Sequence, residues 1–149
     1  MTTPIDAPAR LREAGLRVTR PRVAVLRAVH SHPHADTGAV MSAARAELPA
    51  VSHQAVYDCL DTLTASGLVR RIQPSGSLAR YETRTGDNHH HVVCQGCGEI
   101  HDVDCAAGEV PCLHPVDDHG YAIHETEVIY WGLCPGCAAD AAPTDPPTH

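Results

Sequence analysis

The chain has no phenylalanine and no lysine, and its aromatic content is 3%, made up of one Trp and four Tyr. A core must therefore come from aliphatic side chains, and 43% apolar content over 149 residues suffices for one ordinary domain or two small ones. Small domains with thin cores lean on metals. Also missing are an apolar run of transmembrane length and a basic-then-apolar leader, so membrane insertion and export are not expected and a cytoplasmic location is. Thiols stay reduced there, and the seven cysteines read as metal ligands before they read as a disulfide framework. The last deficit is local. Residues 85–149 contain no Lys or Arg and eleven acids, whereas residues 1–84 carry eleven Arg against seven acids, a balance of +4. The net charge of −7 thus conceals a front half suited to a polyanion and a back half suited to cations.

Cys94-Gln95-Gly96-Cys97 and Cys134-Pro135-Gly136-Cys137 are two Cys-x2-Cys knuckles separated by about forty residues, the four-thiolate set that holds zinc in a tetrahedron. Gly96, Gly98 and Gly136 give these turns their backbone freedom. A closed four-cysteine site has no vacancy for His89-His90-His91. At the head of a strand these would put His89 and His91 on one face and His90 on the other. Two metal sites are implied, one structural and one exchangeable.

Residues 9–15 read as a short helix stopped by Gly15, and Thr19 caps a second helix with Pro21 in its first turn. Ser31-His32-Pro33-His34 breaks that helix. Asp36 or Thr37 caps a third, ended by Pro49, and Ser52 caps a fourth whose stripe is Val56, Leu60 and Leu63 and whose terminator is Gly67. Residues 68–72 and 78–82 flank Gln73-Pro74-Ser75-Gly76-Ser77 and read as a hairpin. Helices followed by an arginine-bearing wing give a winged helix-turn-helix over 1–84, with the fourth helix as the reader of a major groove. Residues 85–88 form a polar hinge and 89–137 a strand-rich, metal-binding unit with β segments at Val92-Val93, Glu99 to Val103 and Ala122 to Trp131. Pro111 and Pro115 leave room only for a short helix between Cys105 and Gly120. Residues 138–149 read as a disordered tail.

Leu11-Arg12-Glu13-Ala14-Gly15-Leu16-Arg17-Val18-Thr19-Arg20-Pro21-Arg22, the Gln54-Ala55-Val56-Tyr57 helix, Ser66-Gly67-Leu68-Val69 and the His89-to-Cys97 stretch together resemble the Fur family of ferric-uptake-type metalloregulators, over about residues 9–137. The stretch from Arg80 to His91 and Tyr130-Trp131-Gly132-Leu133-Cys134-Pro135 are most similar to its FurA/CatR branch, members of which repress catalase-peroxidase genes. The resemblance implies an α+β chain, with an N-terminal winged helix-turn-helix domain and a C-terminal α/β dimerisation domain. It implies a homodimeric, metal-dependent repressor on an AT-rich inverted-repeat DNA operator, with no membrane and no small organic substrate.

The same resemblance assigns residues. Cys94, Cys97, Cys134 and Cys137 match the structural Zn(II) ligands. His32, Glu82, His89 and His91 match the regulatory site, with Asp102 a further candidate and His34 competing with His32. Imidazole and carboxylate suit Fe(II) or Mn(II), with Zn(II) as a substitute. His90 could join Glu109 and His124 in a second divalent site, against a plain solvated reading of His90. Tyr57 matches a residue that touches thymine, Ser52 and Gln54 share its leading turn, and Arg17, Arg20, Arg22, Arg70, Arg71 and Arg80 would pair with phosphates. One departure stands out: the family commonly has Arg where this chain has Asp58.

Of the leftover thiols, Cys59 reads as a small buried hydrophobe and Cys105 with Cys112 as a candidate redox pair. Rival functions are a zinc- or nickel-responsive repressor of the same family and a DNA-independent metal buffer. A zinc hydrolase or deaminase needs an open coordination position and a Pro before its Cys-x2-Cys, which Val93 and Leu133 do not supply. A thioredoxin-like use of Cys-Pro-Gly-Cys lacks its βαβ unit.

Overall fold

The computed structural model describes residues 3–74, 78–85, 87, 89–105 and 113–140. The chain forms two compact units, Met1–Gly86 and Asp87–His149.

In the first unit the helices begin where the short polar side chains stand. For α1 (Ala7–Glu13) the Asp6 carboxylate accepts from the Ala9 amide at 3.1 Å, and for α2 (Arg20–Ser31) the Thr19 hydroxyl accepts from Arg22 at 3.3 Å. Asp36 does the same for α3 (Thr37–Glu47) at 2.8 Å and Ser52 for α4 (His53–Ala65) at 3.1 Å. Each cap satisfies an amide the helix leaves over and contributes about 1 kcal/mol. Gly15 and Gly67, at φ +73 and +80, end α1 and α4 in the left-handed conformation. The buried stripes then meet in one aliphatic core: Leu11 of α1, Val25, Leu26 and Val29 of α2, Val40 of α3, and Val56, Leu60 and Leu63 of α4. Cys59 lies in it at 7% exposure, as expected of a small hydrophobe.

The wing is β2 (Arg70–Ile72) against β3 (Arg80–Glu82), antiparallel, with Arg71 opposite Tyr81. A third strand not anticipated from the sequence, β1 (Ala35–Asp36), pairs with the other edge of β3, Ala35 opposite Tyr81. Two residues carry no periodicity to read. Only the partner strand and the cap at Asp36 define it.

In the second unit β4 (His89–Cys94) lies between antiparallel β5 (Ile100–Asp104) and parallel β6 (Ile129–Gly132), followed by α5 (Pro135–Asp140). Two expectations are corrected. The strand expected over Ala122 to Trp131 is formed only from Ile129, because the Val128 amide donates to the His90 ring at 3.1 Å and not to a β4 carbonyl, so the ladder stops. The tail expected to be disordered from residue 138 is helical to Asp140, since Pro135 is suited to open a helix and Ala138 bonds back to the Cys134 carbonyl at 2.8 Å. The short helix between Cys105 and Gly120 falls mostly outside the described residues, and 113–120 contain none. Among the described residues Val93, Cys94 and Ile100 are the buried apolar side chains of this unit, a thin core beside that of the first.

Candidate metal centres and DNA-facing helix

Cys94 closes β4, Cys97 follows one tight turn later, and Cys134 and Cys137 sit at the start of α5. Their four sulfurs lie within 4.8 Å of one another, Cys97 and Cys134 at 3.9 Å. A Cβ on Gly96 would stand 2.9 Å from the Cys137 sulfur, so only glycine lets the turn approach that closely, and Gly98 takes φ +80. The Cys134 amide donates to Cys94 Sγ at 3.2 Å and the Cys137 amide to Cys134 Sγ at 3.4 Å. The Cys134 amide, helped by those of Cys97 and Gly96, holds the Cys94 thiol down to about 6, while the sulfurs of Cys134, Cys94 and Cys97 push Cys137 up to about 12. Four such thiols cannot ionise together without a cation among them. The donor set and its closure fit a structural zinc, which would offset two of the four thiolate charges and leave no open position.

Two further groups of nitrogen and oxygen donors stand one in each unit. In the first unit His34 sits in the loop before β1 with a left-handed φ of +65. Its amide donates to the Tyr81 carbonyl at 2.9 Å, its carbonyl accepts from Arg80 Nη1 at 3.1 Å, and its ring Nε2 lies 3.2 Å from Glu82 Oε2. A non-glycine residue in that conformation is strained, by about 1 kcal/mol or more, and three contacts to β3 hold it there. Glu82 is 1% exposed. The loop histidine beside Glu82 is therefore His34, whereas the His32 ring is bonded to the Ala28 carbonyl at 3.1 Å.

In the second unit β4 alternates as the period of two requires. His89 Nε2 and His91 Nε2 lie 3.6 and 3.3 Å from Asp102 Oδ1 on β5, with the two rings 4.9 Å apart. His89 Nδ1 is bonded to Asp87, which the sequence had placed in the hinge without a role. A carboxylate on the far nitrogen fixes the ring and its tautomer, as behind metal-ligating histidines. His90 points the other way and is buried at 3%, accepting from Val128, so the plain solvated reading of this residue is corrected. His124 is exposed, Glu109 and Cys112 lie outside the described residues, and no metal-binding group containing His90 or His124 forms among those that are described.

On α4 the leading turn is exposed. Tyr57 is 49% exposed and is no core aromatic. Ser52 is engaged as the cap, its hydroxyl hydrogen left to donate. Asp58 is exposed and accepts from Gln54 Nε2 at 2.8 Å. Arg17, Arg20 and Arg71 are exposed and Arg22 and Arg70 half-buried. Arg80, expected on phosphate, donates through Nη1 to the His34 carbonyl at 3.1 Å. Sequence reasoning also passed over His30, which joins Thr3 and Thr83 through its two ring nitrogens, at 2.6 and 2.8 Å. A lone helical histidine gives no signal for such a role.

Residues 13–131 match the family described as the ferric uptake regulator family. The chain is 65% identical over 133 residues to the transcriptional regulator FurA of Mycobacterium tuberculosis, covering 89% of this chain and 90% of that one. It is 64% identical over 131 residues to ferric uptake regulation protein 1 of Mycolicibacterium fortuitum, covering 88% and 81%. Among solved structures it is similar to a ferric uptake regulator of Pseudomonas aeruginosa with manganese, at a TM-score of 0.66 and 26% identity over 88% of this chain and 99% of that one.

Proposed function

The chain belongs to the ferric uptake regulator family, whose members are metal-binding transcriptional regulators and not enzymes, and we propose that it is an Fe(II)-responsive, homodimeric repressor of AT-rich inverted-repeat operators. The observation that carries the reading is that each unit holds an oxygen-and-nitrogen donor group of its own. His34 stands beside Glu82 in the first, and His89 and His91 stand beside Asp102 in the second. A divalent ion would supply the positive charge that lets these carboxylates and imidazoles share one centre. Joint ligation by both groups would fix the orientation of the Arg-bearing unit on the acidic one. That orientation decides whether two copies can present α4 to successive major grooves.

Several features support the parts. Zn(II) in Cys94, Cys97, Cys134 and Cys137 would be permanent, because all four positions are thiolate. Imidazole with carboxylate suits Fe(II) or Mn(II) and admits Zn(II), so the family's zinc- and nickel-responsive members remain the alternative reading. Fe(II) is favoured by the likeness to a protein named for ferric uptake regulation. The edge strand β6 carries Tyr130 and Trp131 at 53% and 44% exposure and runs on to Leu133 at 49%. An apolar edge of this kind suits the second copy of a dimer. Among the described residues no helix is long and apolar enough to cross a membrane, and we place the protein in the cytoplasm. Iron or oxidative-stress genes, catalase-peroxidase among them, are the proposed targets.

Retardation of an AT-rich inverted-repeat duplex, with Fe(II), Mn(II), Zn(II) or chelator, tests the proposal. Binding should require metal and weaken steeply as salt rises, because Arg contacts to phosphate release counterions. Lack of binding in every metal condition would instead indicate a metal buffer.

A further inference from the structure

We propose that Asp58 sets the base preference of α4 by holding the Gln54 amide in one orientation, so that this helix reads an A·T pair through Gln54. The inference rests on α4 being the DNA-facing helix, as proposed above.

Helix α4 contains no Arg or Lys, and its exposed residues are His53, Gln54, Tyr57, Asp58, Asp61 and Ala65. A face with two carboxylates repels phosphate, so its polar groups are left for base edges while arginines on other elements hold the backbone. Gln54 and Asp58 are four apart, one turn of the helix, and Gln54 Nε2 donates to Asp58 Oδ1 at 2.8 Å. An ionised carboxylate can only accept. The nitrogen of the amide must therefore face Asp58 and the oxygen must face away; a flipped amide would set oxygen against oxygen. Donation through the hydrogen trans to Oε1 leaves Oε1 and the cis N–H side by side and free to meet a base. That acceptor–donor pair matches N6–H and N7 of adenine in the major groove. Without Asp58 the exposed amide samples both orientations, and the reversed one does not match. Asp58 is thus a positioning residue: it acts on the base through Gln54.

The test measures binding of the metal-loaded dimer to operator duplexes in which each base pair of a half-site is replaced in turn. Wild type should prefer A·T at one position by about tenfold, the discrimination expected of a good bidentate pair. Asp58→Ala should flatten that preference and leave the preferences elsewhere intact. Asp58→Asn, whose amide donates as well as accepts, should flatten it too, because either orientation of Gln54 then finds a partner. Gln54→Ala should flatten the same position, and the double variant should be no flatter than Gln54→Ala alone. A merely structural or electrostatic role for Asp58 would instead change affinity equally for all duplexes. That result, or an unchanged preference in Asp58→Ala, overturns the inference while leaving the repressor reading in place; failure of wild type to bind any duplex removes both.

Discussion

The two loop histidines, two residues apart, differ in what they touch. His34 is pinned against Glu82 by β3, whereas His32 turns back to the Ala28 carbonyl. His34→Gly should therefore abolish metal-dependent DNA binding while leaving thermal stability within about 1 kcal/mol of the parent, since glycine accepts φ +65 without strain. His32→Ala should retain the metal response; loss of it with an intact response in His34→Gly would reverse the assignment. The sulfurs were legible because Cys-x2-Cys is a local spacing with one common use. The position of His34 beside Glu82 was not, because it depends on a two-residue strand and a left-handed backbone angle that leave no pattern in the sequence.

Elements with caps and stripes were read correctly from the chain. Thr19, Asp36 and Ser52 each start a helix at the expected place, and Gly15 and Gly67 each end one. Where an element depends on a distant partner the reading drifted, as at Ala122 to Val128, whose ladder is interrupted by the His90 ring. The knuckle itself can be tested as an element. Gly96→Ala places a methyl 2.9 Å from the Cys137 sulfur, so either the turn or that ligand must move. We expect zinc affinity to fall at least about tenfold, in the range of changes that disturb a ligand's support, with the first unit's helices unaffected by circular dichroism. Unchanged zinc retention against a competing chelator would show that the turn is looser than its geometry indicates.

For the whole chain, the charge split visible in the sequence corresponds to a division of labour: an arginine-bearing unit with a full aliphatic core and an acidic unit with a thin one. A structural zinc supplies about 10 kcal/mol of apparent folding free energy in small metal-dependent domains. Stripping zinc, or Cys94→Ser, should therefore unfold the second unit and dissociate the dimer while the first unit stays helical. A zinc-free dimer with intact β4 protection in hydrogen exchange would refute that dependence. The central claim concerns the exchangeable ion, and its most direct test is Mn(II) binding to the zinc-loaded chain by equilibrium dialysis, with ligands removed from one unit at a time. Joint ligation predicts that Glu82→Gln in the first unit and His91→Ala in the second each weaken the same site by at least about tenfold. An Mn(II) affinity untouched by Glu82→Gln would mean that the second unit holds the ion alone, and the proposed coupling between metal and DNA would have no physical basis.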